Sequence, residues 1–183
     1  SEETTRGLRE LARLNGVTLS SLFQAIWSSL LMNYNRTDDV LYGLVVSGRP
    51  AHIPGIERMA GLFINTVPAR VQADASDSVV QLARKILQSR AASEKFDHYP
   101  LYELQKLSAL KANLIHHLFV FENYPAEAVA LFDDGGARFR ITRVQPLERT
   151  NYDFNLIVVP EPLLAITMSY NALVYDEATV RNI

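Results

Sequence analysis

The sequence predicts an α/β fold: a two-layer sandwich of helices on a mixed β-sheet, built as one unit. Three observations predict it. Helix-period segments come first and are interleaved with short apolar strands. The run 40–46 is almost continuously apolar, as strands covered on both faces are. The last third of the chain carries strand candidates in series, ending in a period-two stretch.

Residues 4–14 read as a helix with Leu8, Leu11 and Ala12 on one side, stopped by Asn15-Gly16. Thr18 is placed to cap the next helix, where Leu19, Leu22, Phe23, Ile26, Trp27, Leu30 and Tyr34 recur at three and four residues. That helix ends near Asn35. A turn, the strand 40–46 and the loop "SGRP" follow. "GLFINTVPARVQ" reads as a second strand, and Pro68 denies it one ladder hydrogen bond, which favours an edge or a bulge. Ser76 or Asp77 is expected to cap a long helix to about Lys95 with Val79, Leu82, Ala83, Ile86 and Leu87 as its apolar face. A short helix follows Pro100. Four strands are then expected at 117–121, 138–144, 153–159 and 163–171, with the turn "DDGG" at 133–136 between the first two. In the last strand Leu164, Ile166, Met168 and Tyr170 alternate with Ala165, Thr167, Ser169 and Asn171. Asp176 or Glu177 opens a final helix.

Composition bounds the chemistry. The 183 residues suit one compact domain or one lobe of a larger one. Hydrophobic residues make up 48% and charged residues 21%, enough for a sizeable core without staples. With no cysteine, disulfides, thiolate metal sites and a cysteine nucleophile are excluded. A net charge of -2 without a basic block argues against nucleic acid. No apolar run reaches the roughly 18 residues of a membrane span. The start "SEETTRGLRELARLNG" has acids and no apolar signal core, so no secretory signal is read there. Ser1 leads straight into helical sequence, which reads as an excised or processed piece of a larger protein.

The residue types that carry chemistry are few. His116 and His117 are adjacent, and neighbours on a strand point to opposite faces, so one packed and one solvated imidazole is the expectation. The HExxH pattern is absent and no metal motif is read. His52 reads as a loop residue, and His98, beside Asp97, as either a structural turn or a site residue. There is no Gly-x-Ser-x-Gly elbow and no phosphate loop. In "VSGRP", Ser47 ends a strand, Gly48 permits a close backbone approach, and Arg49 either holds an acidic group or makes a turn's salt bridge. Asn65 and Thr66 interrupt an apolar run. Burying an unpaired amide costs roughly 2–7 kcal/mol, so Asn65 needs partners: a neighbouring loop to clamp, or a polar cleft to face. Arg70 is expected to face outward, and Asn151, Tyr152 and Asp153 to orient a loop before a strand.

These same residues carry a resemblance. "GLVVSGRP", "IPGIERMAGLFINTVPARV", "HHLFVFENYP" and "TNYDFNLIV", in this order, with "KFDHYPLYELQ" before the third, resemble the C-terminal lobe of a nonribosomal peptide synthetase condensation domain. The likeness covers all of residues 1–183, about the second half of such a domain. It implies a chloramphenicol acetyltransferase-like lobe that meets a related N-terminal lobe, with the reaction tunnel between them. It implies peptide-bond formation between thioesters presented by donor and acceptor peptidyl carrier proteins, beside an adenylation domain, in the cytoplasm. The phosphopantetheine arm comes with the carriers, and no cofactor is bound directly. The family motif His-His-x-x-x-Asp-Gly is not matched: Leu118-Phe119-Val120-Phe121-Glu122 follows the histidine pair, with Phe121 where the motif has Asp. The resemblance therefore implies no catalytic residue in this chain. It implies a tunnel-side place for Asn65 and Thr66, and structural or positioning roles for Ser47, Gly48, Arg49, Gly61, Arg70, Asn123 and Asp153. A carrier-docking module, the matching lobe of an epimerisation or cyclisation domain, and a self-contained acyltransferase using His98 are the competing readings.

Overall fold

The computed structural model describes residues 1–50, 53–122, 150–160 and 163–183. Its elements run α1 (Glu2–Leu14), α2 (Leu19–Asn35), β1 (Asp39–Val46), β2 (Asn65–Gln72), α3 (Val79–Ser93), α4 (Leu101–Leu107), β3 (His117–Phe121), β4 (Phe154–Val159), β5 (Ala165–Tyr170) and α5 (Glu177–Arg181). Short 3₁₀ turns lie at Ile56–Arg58, Glu94–Phe96 and Lys111–Leu114. The sheet order is β2-β1-β3-β4-β5. The inner pairs β1–β3 and β3–β4 are parallel and the outer pairs β1–β2 and β4–β5 antiparallel, so the sheet is mixed.

Helix α2 forms the centre of the helical layer. The Thr18 side chain accepts from the Ser21 N–H while the Ser21 hydroxyl accepts from the Thr18 N–H, which satisfies two donors at the helix start. Its buried Leu22, Phe23, Ala25, Trp27 and Met32 pack with Tyr42, Leu44, Val46, Phe119, Leu156 and Val158 of the sheet. Trp27 lies flat on Phe154, ring centroids 5.7 Å apart. Burying a side chain of this size contributes about 1.5–3 kcal/mol, so this seam holds the two layers together. Inside it Tyr42 donates to Gln24 at 3.3 Å, which satisfies a fully buried hydroxyl.

The far side of β1 is close-packed at Gly43. A Cβ on Gly43 would stand 2.6 Å from Leu118 Cδ2 and 2.9 Å from both Ile115 Cγ2 and Thr66 Cγ2. Glycine is required there because three side chains already occupy the space. Strand β1 is thus fully buried on its helical face, whereas on the other face Gly43 is buried and Leu41 and Val45 only partly so, short of the two-sided cover that its apolar run suggests.

Several boundaries differ from expectation. Ser78, rather than Ser76 or Asp77, caps α3, because Gln81 completes a capping box with it and Asp77 accepts from Lys85 and the Asp74 N–H instead. Strand β2 begins at Asn65, not at Gly61, and lies at the sheet edge, where Pro68 withdraws no hydrogen bond from a neighbour. Val79, Leu11 and Tyr34, expected on apolar faces, are exposed. Asp176 caps α5 by accepting from the Thr179 N–H. The expected strand 138–144 and turn 133–136 lie outside the described residues.

Candidate functional site

The site is assembled where β1 ends. After Val46 the chain turns through Ser47 and Gly48 into a loop that returns at Asn65, which pairs with Val46. Gly48 has φ 62°, and a Cβ on it would sit 1.8 Å from the Phe63 carbonyl oxygen. The two legs of the loop therefore touch through backbone, a contact only glycine admits. Arg49 closes the loop from inside. Its guanidinium donates to the carbonyls of Ile56 and, at 3.1 Å, Met59, and lies 4.2 Å over the Phe63 ring. It serves the loop's own carbonyls and an aromatic face, and among the described residues it has no acidic partner of the kind that the sequence allows. Ser47 is exposed, and Gly61 sits against the Phe63 ring, its would-be Cβ 3.2 Å from it.

Asn65 reaches across to the turn that follows α3. Its side-chain N–H groups donate to the carbonyls of Asp97 at 2.8 Å and Tyr99 at 2.9 Å. This is the loop clamp, and it satisfies the half-buried amide. Arg90, in the last turn of α3, pairs with the Asp97 carboxylate. The turn 97–99 is thus held by its main chain on one side and its side chain on the other. Between this turn and the Arg49 loop lies a cavity of about 540 Å³, lined by Ser47, Gly48, Arg49 and Phe63 on one wall and by Asp97 and His98 on the other.

The remaining expected residues stand apart. Thr66 faces Gly43 on the other side of the sheet. Arg70 forks onto Asp39, Nε to Oδ1 at 2.9 Å and Nη2 to Oδ2 at 2.5 Å, and so holds that carboxyl below its usual range on the exposed edge. Asp153 ties the start of β4 to the end of β5: its carboxylate accepts from the Asn171 amide at 2.8 Å and its carbonyl from the Asn171 N–H at 2.9 Å. Asn123 and His52 lie outside the described residues.

The adjacent histidines divide as strand geometry requires. His116 is exposed. His117 turns into the helical layer, where Trp27 Nε1–H donates to its Nε2 at 3.0 Å and Trp27, Tyr42 and Phe154 surround the ring. Burial, and secondarily the neighbouring His116 charge, push its pKa from 6.5 down to about 4. At neutral pH the ring is uncharged, and its accepting nitrogen is occupied by the indole. Such a ring is core packing rather than a base ready to take a proton. Among the described residues no cluster of three or more His, Cys, Asp or Glu could hold a metal ion, and no helix is long and apolar enough to cross a membrane.

Sequence reasoning missed the Arg90–Asp97 pair and the Arg49–Phe63 stack. The first had a visible signal, an arginine and an aspartate flanking a helix end, but nothing local says that they meet.

The fold is that of one protein class. A family model described as "Condensation domain" matches residues 1–183, and this chain belongs to the condensation-domain family. It is 46% identical over 183 residues to tyrocidine synthase 2 of Brevibacillus parabrevis, covering 98% of this chain and 5% of that protein. It is 42% identical over 183 residues to gramicidin S synthase 2 of Brevibacillus brevis, covering 98% and 4%. The chain therefore spans a small fraction of the curated relatives it matches. In fold it is similar to the condensation domain from the monacolin K polyketide synthase MokA, with TM-score 0.80 at 19% identity, covering 99% of this chain and 42% of that one. It is likewise similar to the first condensation domain of the CDA synthetase, with TM-score 0.72 at 16% identity, covering 98% and 40%.

Proposed function

We propose that this chain is the C-terminal lobe of a condensation domain that forms peptide bonds within a nonribosomal peptide synthetase. The donor is an aminoacyl or peptidyl thioester and the acceptor an aminoacyl amine, each delivered by a peptidyl carrier protein on its phosphopantetheine arm. The amine attacks the thioester carbonyl. A C–N bond forms, the C–S bond breaks, the thiol leaves and the former ammonium gives up a proton. Much of the acceleration comes from holding the two groups together, since orientation alone can supply roughly 7–11 kcal/mol.

In this reading the chain supplies one wall of the tunnel and contacts for the carriers. The N-terminal lobe supplies the His-His-x-x-x-Asp-Gly histidine. Gly48, Arg49, Gly61 and Asn65 fix the loop and turn that border the cavity, with Thr66 one residue further along β2. Arg70 and Asp153 hold the two outer strand pairs. The observation that carries the reading is the family match over the whole of residues 1–183, together with the engagement of His117 by Trp27.

The test is amide synthesis from aminoacylated carrier proteins. The 183-residue chain alone is expected to give no product above background, and the same chain joined to the N-terminal lobe of a condensation domain is expected to give dipeptide. Carrier binding without synthesis by the joined protein would leave only a docking role. Robust synthesis by the chain alone would overturn the assignment.

A further inference from the structure

The turn between α1 and α2 carries the dipeptide Asn15-Gly16. Asparagine is a thermally labile residue, and a following glycine puts no Cβ between its own nitrogen and the asparagine side chain. In the reaction this pairing allows, the Gly16 nitrogen bonds to the side-chain carbonyl carbon of Asn15. The bond from that carbon to the amide nitrogen breaks, and ammonia leaves with the proton that the Gly16 N–H gives up. Water then opens the five-membered imide and leaves an aspartate or an isoaspartate at position 15.

The fold holds both reacting groups in other bonds. The Asn15 side-chain N–H donates to the Leu11 carbonyl at 2.9 Å, one turn back along α1. The Gly16 N–H, whose nitrogen is the nucleophile, donates to the Arg13 carbonyl at 3.3 Å. Arg84 of α3 grips Asn15 twice: its Nη2 donates to Oδ1 and its Nε to the main-chain carbonyl, each at 3.2 Å. Ring closure turns the side chain onto the Gly16 nitrogen, so it breaks the bonds to Leu11 and Arg13 and works against the Arg84 grip. A donor on Oδ1 would also promote the reaction if it met the developing charge in a dry site. Arg84 is exposed, so water screens that effect, and 3.2 Å is long for a charge-assisted bond. Restraint therefore outweighs promotion.

We propose that Asn15 is a latent deamidation site and that Arg84 guards it, so that conversion proceeds only when the grip between α3 and the turn opens. The consequence reaches α2. Isoaspartate inserts an extra carbon into the main chain of the turn. Val17 follows directly, buried and donating its N–H to the Ala12 carbonyl at 3.1 Å, and then Thr18, the cap of α2. This chemistry is independent of the condensation reading, since it needs no substrate and no carrier.

The test follows conversion at position 15 by peptide mass spectrometry during incubation of the 183-residue chain at mildly alkaline pH, with an isoaspartyl methyltransferase to count the isoaspartate. The folded chain is expected to convert roughly tenfold or more slowly than the same chain unfolded in urea. Arg84→Ala is expected to raise the rate in the folded chain about threefold or more, with amide hydrogen exchange in β1 unchanged. The comparison of folded with unfolded chain uses unaltered protein and stands even where the variant folds poorly. A smaller difference between folded and unfolded chain would show that the turn does not protect Asn15, and overturns the proposal. So does an Arg84→Ala rate that rises by less than this or falls, a fall marking Arg84 as a promoter. A gain matched by faster exchange in β1 belongs to general loosening of the fold and equally removes the guard role.

Discussion

Protonating His117 means charging a ring packed among Trp27, Tyr42 and Phe154 and giving up the bond from Trp27 Nε1. The native state takes that proton only near pH 4, whereas the unfolded chain takes it near 6.5. Because the folded pKa is depressed, the stability tied to the neutral ring is complete above pH 6.5. It falls as pH drops through that interval and is spent below about 4. The total is on the order of 3 kcal/mol. His117→Gln keeps an acceptor for the indole and removes the titration. Its unfolding free energy is expected to lose less between pH 7 and pH 5 than that of the unaltered chain, as urea denaturation at the two pH values would show. At Gly48 the constraint is steric. Gly48→Ala combines a left-handed backbone with a methyl group driven into the Phe63 carbonyl, and is expected to cost at least about 2 kcal/mol. Gly16→Ala, at φ 63° with no atom within 4 Å of the added carbon, is expected to cost only about 1 kcal/mol. The difference between the two melting midpoints checks the loop contact rather than the dihedral alone.

At the scale of elements, the turn after α3 depends on β2. Asn65→Ala would strip the main-chain carbonyls of Asp97 and Tyr99 of their donor, a loss of about 1–3 kcal/mol. The effect is expected to be local: hydrogen exchange should quicken at residues 94–100 and stay unchanged in α2. Equal protection throughout the turn would show that Asn65 does not hold it. Elements also show where sequence is informative. The start of helix α2 was legible, because the Thr18 cap and the apolar recurrence from Leu19 onward agree. The start of β2 was not, because Gly61-Leu62-Phe63-Ile64 is as apolar as a buried strand, yet Leu62 is 94% exposed and Ile64 64%. Hydrophobicity does not distinguish a strand from a loop pinned by a distant arginine. Strand geometry did separate His116 from His117. The choice between clamp and cleft for Asn65 stayed open because its partners lie 32 and 34 residues away.

At the scale of the whole molecule, the described surface exposes large apolar side chains, with Leu62, Leu107 and Leu173 each more than three-quarters exposed. Surfaces of this kind mark contacts with other protein surface. If the chain is one lobe of two, it is expected to self-associate when isolated and to become monodisperse when joined to an N-terminal lobe. Sedimentation velocity distinguishes the cases, and a stable monomer of the isolated chain with a high unfolding temperature would count against the two-lobe account. The fold class, the mixed sheet and the family were readable from motifs spread along the chain. The packing that engages His117 was readable only in part, since the sequence shows opposite faces but not the indole waiting on one of them.

The most direct measurement is dipeptide formation by the two-lobe protein carrying His117→Gln, assayed at pH 7 against the unaltered protein. The account predicts rates within about twofold of each other, because the ring at position 117 is neutral packing and the proton passes through the other lobe. A loss of a hundredfold or more, in a variant whose stability at pH 7 is retained, would place the reacting imidazole in this chain and contradict it.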